Sequence, residues 1–249
     1  MKQAKNHLIG GITGGIGSKL AVKLSAEGDS VAGYARKAAA GDPLNSQDGF
    51  ILKTCDATDP EALETVISEF QEELGSIDSY THAIGSIYLR PAHLTPVEDW
   101  LQTIQTNLSS AFYALRSVIK IMSKQGHGSC LFFSTAAAQT GIANHEAIAA
   151  AKGGIEAMVR AAAASYASRG LRINAIAPSL TDTPLSQAIV GSEQALEISK
   201  RMHPTGAIGE ASDVASLAAW LHSDQAKFVT GQTFVIDGGI SKIVPKPKA

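Results

Sequence analysis

Gly10-Gly11-Ile12-Thr13-Gly14-Gly15-Ile16-Gly17 is the stretch on which the reading of this chain turns. It overlaps the end of an apolar run, His7 to Thr13, that reads as a strand. It leads into a helical pattern from Gly17 to Glu27, with Leu20, Ala21 and Leu24 on one face. Glycine lets the backbone turn sharply and lets a pyrophosphate approach with no Cβ in the way. The helix that follows offers unpaired N–H groups and a partial positive charge at its start. Strand, glycine turn and helix together predict a nucleotide phosphate site.

The same alternation continues along the chain. Ser30–Ala35, Phe50–Cys55, Asp78–Ile84, Cys130–Ser134, Leu171–Ala177 and Gln232–Ile236 read as strands. Asp59–Leu74, Pro96–Lys124, Asn144–Ser168 and Ser212–His222 read as helices. The long one carries Trp100, Ile104, Leu108, Phe112, Leu115 and Ile119 near a 3.6-residue period. Strands joined through helices pair in parallel, because a parallel neighbour needs a long crossover. The expectation is an α/β fold: one Rossmann-like domain over residues 1–249, a doubly wound sheet of about seven parallel strands flanked by helices. Thr181 to Gly209 holds Pro184, Gly191, Pro204 and Gly206, lacks a clean period, and reads as a substrate lid. The tail Ile243 to Ala249 reads as a frayed end.

Composition narrows the function classes. Hydrophobic residues make up 45% of the 249, enough for a large core. The 21 basic and 23 acidic side chains nearly cancel, so no basic surplus points to nucleic acid or a membrane surface. Cys55 and Cys130 sit in no ligand spacing, and His7, His93, His127, His203 and His222 show none either, so no metal site is expected. No apolar run approaches the ~18 residues of a membrane span. A reducing, cytoplasmic setting is expected.

These motifs, in their order, resemble the short-chain dehydrogenase/reductase family. The glycine stretch is similar to that family's T-G-x-x-x-G-I-G, with Gly10 for the threonine. Cys55-Asp56-Ala57 resembles the segment whose aspartate meets adenine, and His82-Ala83-Ile84-Gly85 is an altered N-N-A-G. Asn107 matches the asparagine of the long helix. Asn174-Ala175-Ile176-Ala177-Pro178, followed by Thr183, matches N-x-x-x-P-G-x-x-x-T with Ser179 for the glycine. Gly231-Gln232-Thr233 to Asp237-Gly238-Gly239 resembles the C-terminal signature. The resemblance implies a nicotinamide cofactor held by Gly11, Thr13, Gly15, Ile16, Gly17, Asp56, Ala57, Gly85, Lys152, Pro178 and Thr183.

The end of the second strand selects between cofactors. An acid there accepts from a ribose 2′-hydroxyl, whereas an arginine takes a 2′-phosphate. The sequence reads Gly33-Tyr34-Ala35-Arg36-Lys37, with no acid between Ser30 and Gly41. Arg36 therefore points to NADP, through a charge-assisted pair.

The family's proton donor is a tyrosine four residues before a lysine. With Lys152 as that lysine, the tyrosine position is Ile148 and the serine position is Thr135, beside Ser134. The resemblance then implies Asn107, Thr135 and Lys152 as catalytic residues without a phenol. His145 lies seven residues before Lys152, the tyrosine-to-lysine separation of the related enoyl-thioester reductases. On a helix it falls within about 60° of residues 148 and 152. An imidazole titrates near neutrality and can act as the acid, so His145 is the first candidate donor and Tyr88 a second. Arg90 is a candidate for an acidic substrate handle. Two readings stand at this point. One is an NADP-dependent oxidoreductase acting on a carbonyl or enoyl substrate, acyl thioesters included. The other is a catalytically impaired nucleotide-binding homologue acting as sensor or partner subunit. The small residues Ala147, Ala149, Ala150, Ala151, Gly153, Gly154 and Ala157 suggest a homo-oligomer, dimer or tetramer.

Overall fold

Leu8 and Ile9 are neighbours in the first strand, both fully buried, and they pack into two different cores. Successive strand residues point to opposite faces, so the sheet is covered on both sides. The computed structural model describes residues 4–37 and 50–244; residues 245–249 of the tail expected to fray lie outside this range. In chain order the elements are β1 (Asn6–Gly10), α1 (Gly15–Ala26), β2 (Ser30–Ala35), β3 (Phe50–Thr54), α2 (Pro60–Leu74) and β4 (Ser79–His82). Next come α3 (Val97–Ile104), α4 (Ser110–Gln125), β5 (Gly128–Phe133), α5 (Glu146–Tyr166), β6 (Leu171–Pro178) and β7 (Thr181–Asp182). Helices α6 (Gln187–Val190) and α7 (Glu193–Met202), strand β8 (Gly209–Glu210), helix α8 (Ala211–His222) and strand β9 (Thr233–Ile236) complete the order.

Seven parallel strands form one sheet in the order β3-β2-β1-β4-β5-β6-β9. Leu8 shares its core with Leu63 and Phe70 of α2, Val118 of α4 and Ile155 of α5. Ile9 shares the other with Leu20 of α1 and Val214 and Ala218 of α8. The chain winds outward from β1 in both directions, which leaves a crevice beyond the carboxyl ends of β1 and β4, where ligands bind in open α/β sheets.

Several expectations shift. First, the expected helix from Pro96 to Lys124 is α3 and α4 joined by a π-helical segment, Gln105–Ser109. That wider turn changes the angular phase, so a single stripe cannot hold both ends. Trp100 and Phe112 are accordingly 39% and 53% exposed. Second, α5 starts at Glu146, because Asn144 has φ 66°, outside the helical region. Third, the 181–209 segment is ordered into α6 and α7, and its ends are paired as the two-stranded parallel ladder β7–β8. Strand β1 ends at Gly10 and β4 at His82, both short of the sequence reading, because Gly11 turns with φ 78° and Ala83 N–H closes onto the Gly10 carbonyl at 2.8 Å.

Candidate active site

The glycine turn sits at the β1–β4 switch point. A Cβ at Gly11 would fall 2.6 Å from the Ala83 carbonyl oxygen, and one at Gly17 would run into the Gly11 carbonyl. These glycines are therefore required by close backbone packing as well as by any ligand. A Cβ at Gly15 would fall 2.8 Å from the Thr183 side chain, so Thr183 rests on the same turn. Helix α1 has Gly14 at its N-cap, no side-chain cap and no acidic residue in its first turn. Its N-terminal N–H groups and positive dipole end are left to an anion. Half-buried Thr13 and Ile16 flank this cradle.

Gly10, where the family pattern has threonine, has a local cause. A Cβ there would fall 2.5 Å from Tyr34 Oη and 3.0 Å from Tyr80 Oη. Tyr34 and Tyr80 hydroxyls are 2.7 Å apart, Tyr80 Oη is 2.8 Å from His82 Nδ1, and His82 Nε2 is 3.0 Å from Ser110 Oγ. All four residues are buried. Burial, then the nearby Lys152 charge, pushes the His82 imidazole down to about 3, so the ring is neutral. His82 is thus an inner member of one buried polar chain running from Tyr34 to Ser110, and Gly10 leaves room for the end at Tyr34.

Arg36 is exposed at the end of β2, and its charge helps hold the Asp56 carboxyl below the usual range. The larger cause is Thr58, whose N–H and hydroxyl donate to Asp56 Oδ1 at 2.9 and 2.8 Å. Ala57, between them in sequence, is buried.

Two of the catalytic candidates, Asn107 and Lys152, meet at Gly85. A Cβ there would lie 2.9 Å from Asn107 Oδ1 and 3.3 Å from Lys152 Nζ. Asn107 is fully buried in the π-helical segment. Its Oδ1 accepts from Ser86 N–H at 2.9 Å, and its Nδ2 donates to Ser86 Oγ at 2.9 Å and the Thr103 carbonyl at 3.0 Å. The amide competes with the helical ladder for that carbonyl, at the place where the ladder widens. Lys152 Nζ donates to the Phe133 carbonyl at 2.9 Å, and burial lowers its pKa to about 8.

Thr135 and Ser134 divide their work. Ser134 Oγ turns away and shares its one hydroxyl hydrogen between Glu156 Oε1 at 2.8 Å and the Lys152 carbonyl at 3.1 Å. Thr135 lines a cavity of about 220 Å³. Its Oγ1 accepts from Ala137 N–H at 3.3 Å, which leaves the hydroxyl hydrogen to donate. The cavity is mainly apolar, walled by Ile148, Leu180, Met202 and Ile240, with His145, Ser179, Ser199 and His203 among the polar groups. His145 stands at the N-cap position of α5 without capping it through its side chain, and its Nδ1–H donates to the Ala143 carbonyl at 2.8 Å, which leaves Nε2 for a ligand. Pro178 ends β6 directly before Ser179.

Two candidates lie elsewhere. Tyr88 Oη donates to Asp99 Oδ2 at 3.0 Å and is not part of the cavity wall. Arg90 is exposed, its backbone N–H tied to the Asn144 carbonyl at 2.9 Å. One pair escaped the sequence reading: His203 Nε2 is 2.9 Å from Ser179 Oγ. The residues are 24 apart, a separation that follows no motif; the signal present was serine where the family pattern has glycine.

A family profile described as "Enoyl-(Acyl carrier protein) reductase" matches residues 11–241. The chain belongs to the short-chain dehydrogenase/reductase family. It is 29% identical over 240 residues to the 3-oxoacyl-[acyl-carrier-protein] reductase FabG of Escherichia coli (strain K12), covering 96% of this chain and 98% of the other. It is 31% identical over 253 residues to 2-(S)-hydroxypropyl-CoM dehydrogenase 3 of Xanthobacter autotrophicus, with the same coverage, 96% and 98%. The structure of the Thermoplasma acidophilum aldohexose dehydrogenase superposes with a TM-score of 0.89 at 26% identity, covering 99% of this chain and 98% of that one. The fold is that of this family. Among the described residues no helix is long and apolar enough to cross a membrane, and no group of three or more His, Cys, Asp or Glu is arranged to hold a metal ion.

Proposed function

We propose that the protein is an NADP-dependent oxidoreductase that transfers a hydride between the cofactor and a carbonyl or enoyl substrate, acyl thioesters included. The observation that carries this reading is the meeting of Asn107 and Lys152 over Gly85, together with a cavity walled by Thr135, His145 and Ile148, the last one helical turn before Lys152.

The glycine turn, with Gly11, Gly15 and Gly17 crowded against backbone or Thr183, fits a pyrophosphate at the start of α1. Arg36 takes the 2′-phosphate, Asp56 and Ala57 face the adenine, and Thr13, Ile16, Gly85, Pro178 and Thr183 hold the remainder. NADPH bound there supplies the hydride. Lys152 Nζ, fixed by the Phe133 carbonyl, binds the nicotinamide ribose, and Asn107 fixes the loop that carries Gly85 and Ser86. Thr135 donates its hydroxyl hydrogen to the substrate oxygen. His145, with Nδ1 committed to Ala143, gives the proton from Nε2 when the ring is charged and recovers it from solvent at the cavity rim. The 181–209 segment serves as the substrate lid, and the protein works in the cytoplasm as a dimer or tetramer.

Ile148, a hydrocarbon at the family's tyrosine position, favours the competing reading of a nucleotide-binding subunit without turnover. NADPH oxidation over a panel of ketones, 3-oxoacyl thioesters and enoyl thioesters tests between them. Turnover of any class supports the oxidoreductase, and tight NADPH binding with no turnover of any overturns it.

A further inference from the structure

His203 closes the C-terminal end of α7 and is buried. Its Nδ1 lies 2.8 Å from the Ser199 carbonyl. A carbonyl only accepts, so Nδ1 carries the hydrogen, and in the neutral ring Nε2 presents its lone pair. That lone pair is 2.9 Å from Ser179 Oγ, which therefore spends its hydroxyl hydrogen on the imidazole. The backbone of Ser179 is committed as well: its N–H donates to the Ile236 carbonyl at 3.1 Å and its carbonyl accepts from Thr181 Oγ1 at 3.0 Å. What Ser179 has left, at the wall of the cavity, is the lone pairs of its hydroxyl oxygen.

We propose that Ser179, oriented by His203, is a specificity determinant that selects substrates carrying a hydrogen-bond donor, a hydroxyl or amide N–H, in addition to the reacting carbonyl. This rests on the oxidoreductase reading. Thr135 and Ser179 then have opposite polarities in one cavity: Thr135 donates to the oxygen that is reduced, and Ser179 accepts from a second group. Leu180, Met202 and Ile240 around them offer Ser179 no donor. A substrate without one leaves a desolvated acceptor unpaired, the situation in which binding sites discriminate most strongly. A substrate with a second carbonyl sets acceptor against acceptor. The substrate class is a hydroxy- or amido-ketone with an apolar body.

The test uses three matched probes on one apolar skeleton: the plain ketone, the hydroxy-ketone and the diketone. Each is measured by NADPH-dependent turnover and, separately, by calorimetric binding to the protein saturated with NADP. The hydroxy-ketone is expected to bind at least about tenfold more tightly than either of the others, with the preference expressed in KM rather than kcat. Ser179→Ala removes the preference. His203→Phe frees the serine hydrogen to donate and moves the preference toward the diketone, in a protein whose melting transition confirms folding. Equal binding of the three probes to the native protein, or a preference that survives Ser179→Ala, overturns the proposal. Absence of turnover with all three, joined by absence of turnover across the enoyl and 3-oxoacyl thioester panel, defeats the oxidoreductase reading instead, and the calorimetric comparison still decides the role of Ser179.

Discussion

Ile148 stands one helical turn before Lys152 on α5, yet the two side chains serve different spaces: Ile148 lines the cavity, and Lys152 Nζ is drawn back onto the Phe133 carbonyl at 2.9 Å. The cavity wall at this point of α5 is thus hydrocarbon. His145→Ala is expected to lower turnover by ~10²-fold, the lower end for a general acid, with NADPH affinity little changed. Adding Ile148→Tyr to that variant places a phenol in the cavity wall and is expected to restore much of the rate. Steady-state kinetics on the single and double variants check both effects, and an undiminished rate in His145→Ala assigns the proton elsewhere.

Burial lowers the Lys152 pKa from 10.5 to about 8. Between those values the unfolded chain binds more protons than the folded one, so stability of the cofactor-free protein rises with pH across that window. The gain reaches about 3 kcal/mol if the whole shift is expressed. Below about pH 8 the ammonium is charged in both states and its burial cost is constant. Urea unfolding of the native protein against Lys152→Met isolates the effect, since the stability of the native protein relative to the variant should rise only above about pH 8.

Arg36 and the absence of an acid at Ala35 predict at least roughly tenfold tighter binding of NADPH than NADH. Arg36→Ala should weaken NADPH selectively. Equal affinities in calorimetry would remove the cofactor assignment while leaving the fold untouched.

Gly10→Ala places a methyl 2.5 Å from Tyr34 Oη, in a fully buried chain of hydroxyls. Overpacking of this kind costs about 1–3 kcal/mol. Tyr34→Phe deletes the nearest atom, so the double variant should recover part of the loss. Chemical denaturation of the four proteins in the cycle gives the coupling, and an uncoupled pair would show that the contact is relieved by other means.

On α5 the small residues divide between inside and outside. Ala147 and Ala151 are buried within the chain, and a Cβ at Gly154 would meet Leu108. Ala150 and Ala157 are exposed, and a Cβ at Gly153 would meet nothing within 4 Å. Sedimentation is expected to show a dimer or tetramer, and Gly153→Arg to dissociate it. A native monomer at micromolar concentration would contradict this.

The fold was legible because alternation of strand and helix forces parallel pairing, and because Gly11, Gly15 and Gly17 sit where backbone leaves room for nothing larger. Asn107 and Lys152 could be picked out by their place in the motif order, and the structure brings both to Gly85; their catalytic roles stay part of the proposal. Phe112 misled because periodicity assumes an unbroken helix, and a π-helical turn shows no compositional mark. The Ser179–His203 pair was hidden because its members come from β6 and α7, whose meeting depends on how the intervening segment folds back. Tyr34 and His82 looked like strand residues, and only their common burial reveals why Gly10 is glycine.

The β7–β8 ladder joins Thr181 to Gly209 and Asp182 to Glu210, so everything between is a loop tied off at its base. The entropy of closing such a loop grows only with the logarithm of its length, about 0.6 kcal/mol for each doubling. α6 and α7 can therefore lengthen, shorten or be exchanged at little cost to the sheet. Ser179 lies on the fixed side of the knot and His203 on the exchangeable side. Replacing the cassette would leave the serine in place and take away the imidazole beside it, so that the selectivity proposed for Ser179 could change while Asn107, Thr135 and Lys152 stayed where they are.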